Sequence, residues 1–345
     1  MNDGRIEWFD LFRGCAAILV VIFHFDAFLG VPWFEFGFVA VDLFFVLSGV
    51  VLGLKYSEAI GNSLSFGKFA AIRLKRLYPM AFIAGVFIIL LNWCGVPGRS
   101  WPPAANFGAW SVLLITPYPY FVGLHGAFPA DAPLWSLWAE LIVNALWFAV
   151  MKFRRRWMAA LTAISCLGMV LLAWRLHTLN YGGTPGLAVR LESIVRAFAW
   201  FGVGYWIAMK RPALPTPAAL LLLAVVMTMV VSAFDVQPAW LVSMATAVCG
   251  TLLLAKLMST RPPGPGIARL SYYLGMASFP LYLIHAPAAR LLTYMPRDMA
   301  PWLQLLIVVG GATVVATWLN EVAVRLVRAA FNRGPVRPKI TQTST

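Results

Sequence analysis

Arg13 and His24 stand eleven residues apart inside one apolar run, Trp8-Phe9-Asp10-Leu11-Phe12-Arg13-Gly14 through Val20-Val21-Ile22-Phe23-His24. Ionisable groups in hydrocarbon are costly and mark functional sites. On an ideal helix, eleven residues turn about 1100° and rise roughly 16 Å, so both side chains line one face at different depths. Asp42, Glu140 and His285 also interrupt apolar runs. The alternation of spans set out below predicts that these three and His24 converge in the outer half of a membrane. Such a cluster suits proton transfer: an imidazole takes a hydroxyl proton near neutral pH and a carboxylate orients it.

A second cluster is cationic. Phe66-Gly67-Lys68-Phe69-Ala70-Ala71-Ile72-Arg73-Leu74-Lys75-Arg76-Leu77-Tyr78-Pro79 runs into the next apolar segment, and Arg73 and Arg76, three apart, share a helix face. With Arg13 they predict a pocket at the cytoplasmic surface suited to phosphate, which guanidinium groups bind bidentately. Two such clusters imply a donor held at both ends, its phosphates on the arginines and a long thin arm reaching His24. Acyl-coenzyme A has that shape, and its thioester would meet an acceptor hydroxyl entering from outside.

The elements that position these groups are membrane spans. Of the 345 residues, 61% are hydrophobic and 12% charged, which a soluble core of this size could not hide. Ten spans fit the apolar runs: 6–29, 38–55, 77–95, 134–151, 157–174, 191–209, 214–234, 238–257, 272–292 and 302–327. The first is read as a retained span, since it has no small-residue cleavage pattern. The stretch 105–122 is apolar too, but Thr116-Pro117-Tyr118-Pro119-Tyr120 breaks it, so it is assigned to a partly inserted loop.

Charge distribution supports that assignment. The net charge of +14 comes from clusters between the spans, and 20 of the 27 basic residues fall on one side, the cytoplasmic side by the positive-inside rule. Both termini are then cytoplasmic. A crossing at 105–122 would send Lys152, Arg154, Arg155 and Arg156 outside. The expected fold is an all-α integral membrane protein of about ten transmembrane helices. Residues 1–330 form a single membrane domain and 331–345 a basic cytoplasmic tail. Partitioned this way, the basic charge points to membrane orientation and no nucleic-acid partner.

Other candidates carry less chemistry. Cys15, Cys94, Cys166 and Cys249 lack zinc or disulfide spacing, and His125 and His177 lack ligand-like neighbours, so no metal is expected. Gly202-Val203-Gly204 reads as close helix packing and Gly264-Pro265-Gly266 as a turn. Trp135, Trp138 and Trp147 serve as interfacial anchors or core, and Trp135 stands near enough to Glu140 to stack on a sugar.

Five blocks in order resemble the acyltransferase-3 family of membrane proteins, which O-acylate surface glycans, lipids and small molecules. They are Asp10 to His24, with its arginine-ten-residues-histidine signature; Val41-Asp42-Leu43-Phe44-Phe45-Val46-Leu47-Ser48-Gly49; Arg73 to Pro79; Leu134-Trp135-Ser136-Leu137-Trp138-Ala139-Glu140; and Ser278-Phe279-Pro280-Leu281-Tyr282-Leu283-Ile284-His285. Leu11 and Val50 depart from the family pattern. The resemblance implies a ten-span fold, an acyl-CoA donor bound from the cytoplasm, His24 as the essential histidine and Arg13, Arg73 and Arg76 as essential arginines. The expected function is transfer of an acyl group, acetyl by preference, from cytosolic acyl-CoA to a sugar or lipid-linked glycan hydroxyl outside the inner membrane. His24 and Glu140 are its catalytic pair, and Asp10, Asp42, Ser48, Trp135 and His285 are acceptor-site or supporting positions. Polysaccharide-assembly proteins are candidate partners beside the bilayer and the acceptor. The alternative from the residues alone is a secondary transporter or glycan-export protein without catalysis, which would leave Arg13 and His24 as packing residues.

Overall fold

A computed structural model describes residues 7–29, 36–96, 115, 131–180, 187–212, 239–260 and 263–331. The long helices are α1 (Glu7–Leu29), α2 (Ala40–Asn62), α3 (Phe66–Trp93), α4 (Leu134–Phe153), α5 (Met158–Leu176), α6 (Leu187–Lys210), α7 (Ala239–Leu257), α8 (Pro265–Ala288) and α9 (Gly311–Phe331). A short helix, Pro301–Leu305, and a π-helical turn, Leu306–Gly310, lead into α9. Seven helical stretches are long and apolar enough to cross a membrane; α6 and α8, 24 residues each, are as long but more polar. Nine of the ten expected spans thus have a helix among the described residues, and the protein is a multi-pass membrane protein. The expected span 214–234, the stretch 105–122 apart from Ile115, and the tail 332–345 lie outside the described residues.

One boundary differs in a way that matters. The third helix begins at Phe66, eleven residues before the expected span, because Ser65 caps it by accepting a hydrogen bond from the Lys68 backbone N–H at 3.4 Å. The basic run from Lys68 to Arg76 is therefore helical. At 28 residues the helix is about 42 Å long, more than the ~30 Å of a hydrocarbon core.

Contacts fix the relative directions of the helices. The hydrogen bonds Ser48 to Glu140 and Lys152 to the Ile60 carbonyl share one sequence offset, so α2 and α4 run parallel in register. Asp42 with Arg196 and Ser57 with Met209 make α2 and α6 parallel. Arg13 with Gly275 and His24 with His285 do the same for α1 and α8. Arg73 with Glu140 and Phe69 with Trp147 set α3 antiparallel to α4. These relative directions agree with the alternation expected for the first, second, third, fourth, sixth and ninth spans.

At the centre α2 and α6 touch backbone to backbone. A Cβ on Gly49 would lie 2.0 Å from the Phe201 carbonyl oxygen, and one on Gly204 would lie 2.0 Å from that of Val46. Helices in lipid gain no hydrophobic drive from each other, so close approach at small residues supplies the packing instead. Gly204→Ala should cost about 1–3 kcal/mol by forcing the helices apart, read as a lower thermal midpoint in detergent; an unchanged midpoint would show that the crossing is not tight.

Candidate active site

A cavity of about 1090 Å³ lies between α1, α2, α3, α4, α8 and α9. Its lining includes the exposed Lys55 late in α2, Lys75 and Arg76 early in α3 and Arg325 late in α9, with the half-buried Tyr56 beside Lys55. Its deep end closes on the buried side chains of Ser136 and Tyr282. Six basic residues and three acidic ones line it, so its field is positive, as an anionic ligand requires.

The three arginines expected to gather do so on this one wall. Arg13 Nη2 donates to Asp10 Oδ1 at 3.0 Å and to the Gly275 carbonyl at 2.7 Å, which ties α1 to α8. Arg76 is exposed in the cavity mouth. Arg73 is buried rather than superficial: Nη2 donates to Glu140 Oε1, and the same oxygen accepts from Ser48 Oγ at 2.9 Å. The expectation that Glu140 joins the outer histidines is therefore corrected. The early start of α3 carries Arg73 deep enough to capture that carboxylate, and Glu140 becomes part of the cavity wall together with Ser48.

Asp42 is corrected in the same sense. Arg196 Nε and Nη2 donate to its two carboxylate oxygens at 2.7 and 2.9 Å, a bidentate pair with both side chains at most 1% exposed. Trp135 lies against this pair, with the Arg196 guanidinium 5.7 Å from its ring centre, and does not line the cavity. Arg196 lies inside the expected span 191–209, but its partner is not readable from the sequence, because only packing brings α2 and α6 together.

His24 and His285 remain, and they meet. Their ring centres are 5.0 Å apart, with His24 exposed and His285 fully buried. Each ring uses Nδ1 on the carbonyl four residues earlier, Val20 for His24 at 2.7 Å and Leu281 for His285 at 3.1 Å. A carbonyl only accepts, so Nδ1 carries the hydrogen in both rings and Nε2 is the basic nitrogen. His285 Nε2 is buried with no hydrogen-bond partner among the described residues. Tyr282 connects the pair to the cavity: its ring centre is 6.2 Å from that of His285, and its hydroxyl bonds Ser136 Oγ at 2.7 Å and the Pro133 carbonyl at 3.2 Å. Neither Tyr282 nor Ser136 was singled out from the sequence, although both lie in blocks already quoted.

Asp131 and Arg290 complete the outer end and were also missed. Asp131, in the turn before α4 and outside the span, is buried with neither carboxylate oxygen hydrogen-bonded among the described residues. Burial pushes its carboxyl well above the usual carboxylate range, with the Arg290 charge pulling the other way. Arg290 also donates to Asn92 Oδ1 at 3.2 Å. Among the described residues, no three His, Cys, Asp or Glu side chains gather to hold a metal.

A helical membrane bundle with a cationic cavity and a histidine pair beyond its deep end defines the class. The acyltransferase-3 family model, described as an acyltransferase domain, matches residues 6–321, and the chain belongs to that family. It is similar to protein 2 of the picA locus of Rhizobium radiobacter, 34% identical over 41% of this chain and 81% of that one. It is 27% identical to BcsY of Komagataeibacter xylinus, provisionally named a membrane-bound transacylase, over 83% of this chain and 73% of that one. It is also 26% identical to YrhL of Bacillus subtilis, provisionally named a peptidoglycan O-acetyltransferase, over 49% of this chain but 28% of that longer protein. No solved structure matches significantly.

Two tests follow from the charges. Breaking the Asp42–Arg196 pair by Asp42→Ala should cost about 3–5 kcal/mol by stranding a buried guanidinium, and Asp42→Leu with Arg196→Met should recover most of it; equal losses in single and double variants, measured as unfolding midpoints, would deny the pairing. For Asp131, a carboxyl raised on folding favours the folded state while protonated. That contribution is complete below the unfolded value near ~4 and is lost as pH climbs through the folded one. Asp131→Asn should therefore remove this fall and raise the thermal midpoint at pH 8 relative to the parent, whereas an unaltered pH slope would contradict it.

Proposed function

We propose that the protein is a membrane O-acyltransferase that moves an acyl group, acetyl by preference, from cytosolic acyl-CoA to a hydroxyl of a sugar or lipid-linked glycan at the extracytoplasmic face. The observation that carries this is one cavity that has Arg13, Arg73 and Arg76 on its wall and Tyr282 at its buried end, beside the histidine pair. At about 1090 Å³ it lies just above the ~300–1,000 Å³ range of small-molecule sites, large enough for a nucleotide-bearing donor. The basic clusters orient its mouth and both termini to the cytoplasm.

In this mechanism Arg13, Arg73 and Arg76 bind the phosphates, and the pantetheine arm runs inward toward Tyr282. His24 Nε2 takes the proton of the acceptor hydroxyl as its oxygen bonds to the thioester carbonyl carbon. The C–S bond then breaks and the thiolate leaves, regaining a proton. Glu140 holds Arg73 and Ser48 in place for the donor. The names given to BcsY and YrhL, transacylase and peptidoglycan O-acetyltransferase, support acyl transfer and a glycan acceptor. Residues 1–330 form one catalytic domain in the inner membrane, which acts alone or hands its acyl group to polysaccharide-assembly partners.

The test is acetyl-CoA binding and turnover by the purified protein. Arg76→Ala, a change at an exposed position, should weaken binding about tenfold or more, as expected for a lost charge-assisted hydrogen bond. His24→Ala should keep binding and lose about 10²-fold or more in turnover. Folded protein that binds no acyl-CoA would overturn the proposal.

A further inference from the structure

The mechanism above leaves His24 without an orienting carboxylate, because every carboxylate expected beside it is engaged elsewhere. Asp42 is held by Arg196 and Glu140 by Arg73. The group that does face the His24 ring is another imidazole. His285 sits 5.0 Å away on the parallel helix α8, and its Nε2 is a buried acceptor with nothing to accept from among the described residues. An acceptor left unmade in the interior is expensive unless a donor arrives during function.

We propose that His285 is the proton partner of His24, a positioning residue that accepts a hydrogen bond from the imidazolium formed when His24 takes the acceptor's proton. The inference rests on the acyltransferase reading of this site. In the resting state both Nε2 atoms carry lone pairs and neither can donate to the other. Once the hydroxyl proton has moved to His24 Nε2, that N–H is a donor, and His285, its ring centre 5.0 Å from that of His24, offers Nε2 as the acceptor. The proton is shared within the pair while the new O–C bond forms and the C–S bond breaks. It is then delivered to the departing thiolate, so alcohol and thioester become ester and thiol with no other reactant.

The surroundings suit a neutral proton acceptor. Phe25 and Tyr282 pack around His285, with ring centres 6.3 and 6.2 Å away. The Tyr282 hydroxyl is committed to Ser136 and Pro133. The Leu281 carbonyl on Nδ1 keeps the tautomer that leaves Nε2 free. Asp10, Arg13 and Gly275 pin α1 against α8 further in and hold the two histidines at one depth.

Two substitutions separate this role from packing. His285→Gln puts an amide oxygen near the position of Nε2, whereas His285→Phe keeps the ring and removes the acceptor. With acetyl-CoA and a soluble sugar acceptor, kcat should stay within about tenfold of the parent for His285→Gln. It should fall about 10²-fold or more for His285→Phe, with KM and binding of acetyl-CoA changed less than about threefold in both. His285→Phe equal to or better than His285→Gln would overturn the proposal, as would loss of folded protein in both, which would assign His285 to packing. If the parent protein turns over acetyl-CoA and only His24→Ala abolishes this, the acyltransferase reading stands and the present one falls. If the parent turns over no acyl-CoA, the underlying reading falls first.

Discussion

Asp42 and Arg196 face each other in the middle of the bundle with almost no solvent on either side chain, and the rest of the site is arranged around that exclusion. A charge removed from water needs an opposite charge with satisfied geometry. The bidentate contact meets this need, and it forms because Gly49 and Gly204 let α2 and α6 come together at backbone distance. Once the aspartate is spent on the arginine, it is unavailable for proton chemistry. The pair is therefore structural, and it binds the two helices in the register that places Ser48 and its neighbours on the cavity wall.

The same rule sorts the remaining charges by what is left over. Arg73 is buried with Glu140, and Arg13 is held by Asp10 and a carbonyl. Both guanidiniums line the cavity, each already paired with one carboxylate. Arg76, Lys75 and Lys55 stand at the mouth, where water screens them. A polyanionic ligand thus meets a graded field, weak and solvated at the entrance and stronger where water is excluded. Its uncharged arm would continue past the arginines between the aromatic and aliphatic side chains of Phe44, Leu137 and Phe279.

Much of this was legible in the sequence, and the failures have a common cause. The length and spacing of the apolar runs located nine helices, because a bilayer dictates span length. The arginine cluster was legible because Arg13, Arg73 and Arg76 are ionisable residues in or beside apolar segments, with helical spacing on one face. Depth was harder to read. The spacing of the basic run places it at the surface, yet Ser65 starts α3 at Phe66 and Arg73 is buried within that helix. Partner choice was not legible at all: Asp42 and Glu140 are visible as charges in spans, but which arginine each one pairs with depends on how helices far apart in the chain pack. Tyr282 and Ser136 gave no signal because a single tyrosine or serine in an apolar helix is unremarkable until its neighbours are known.

Parallel packing of α1 and α8 links these levels. Two helices running the same way, each with a histidine bonded to the carbonyl one turn back, present their imidazoles at one depth and in the same tautomer. Antiparallel neighbours would aim their side chains toward opposite membrane faces, since every helical Cβ tilts toward its own N-terminus. Both rings therefore point Nδ1 back along the helices and leave both Nε2 atoms unprotonated. Their differing exposure adds an asymmetry that the chemistry can use. Under the proposed mechanism the accessible His24 ring would meet the acceptor hydroxyl, and the buried His285 ring would share the proton it takes.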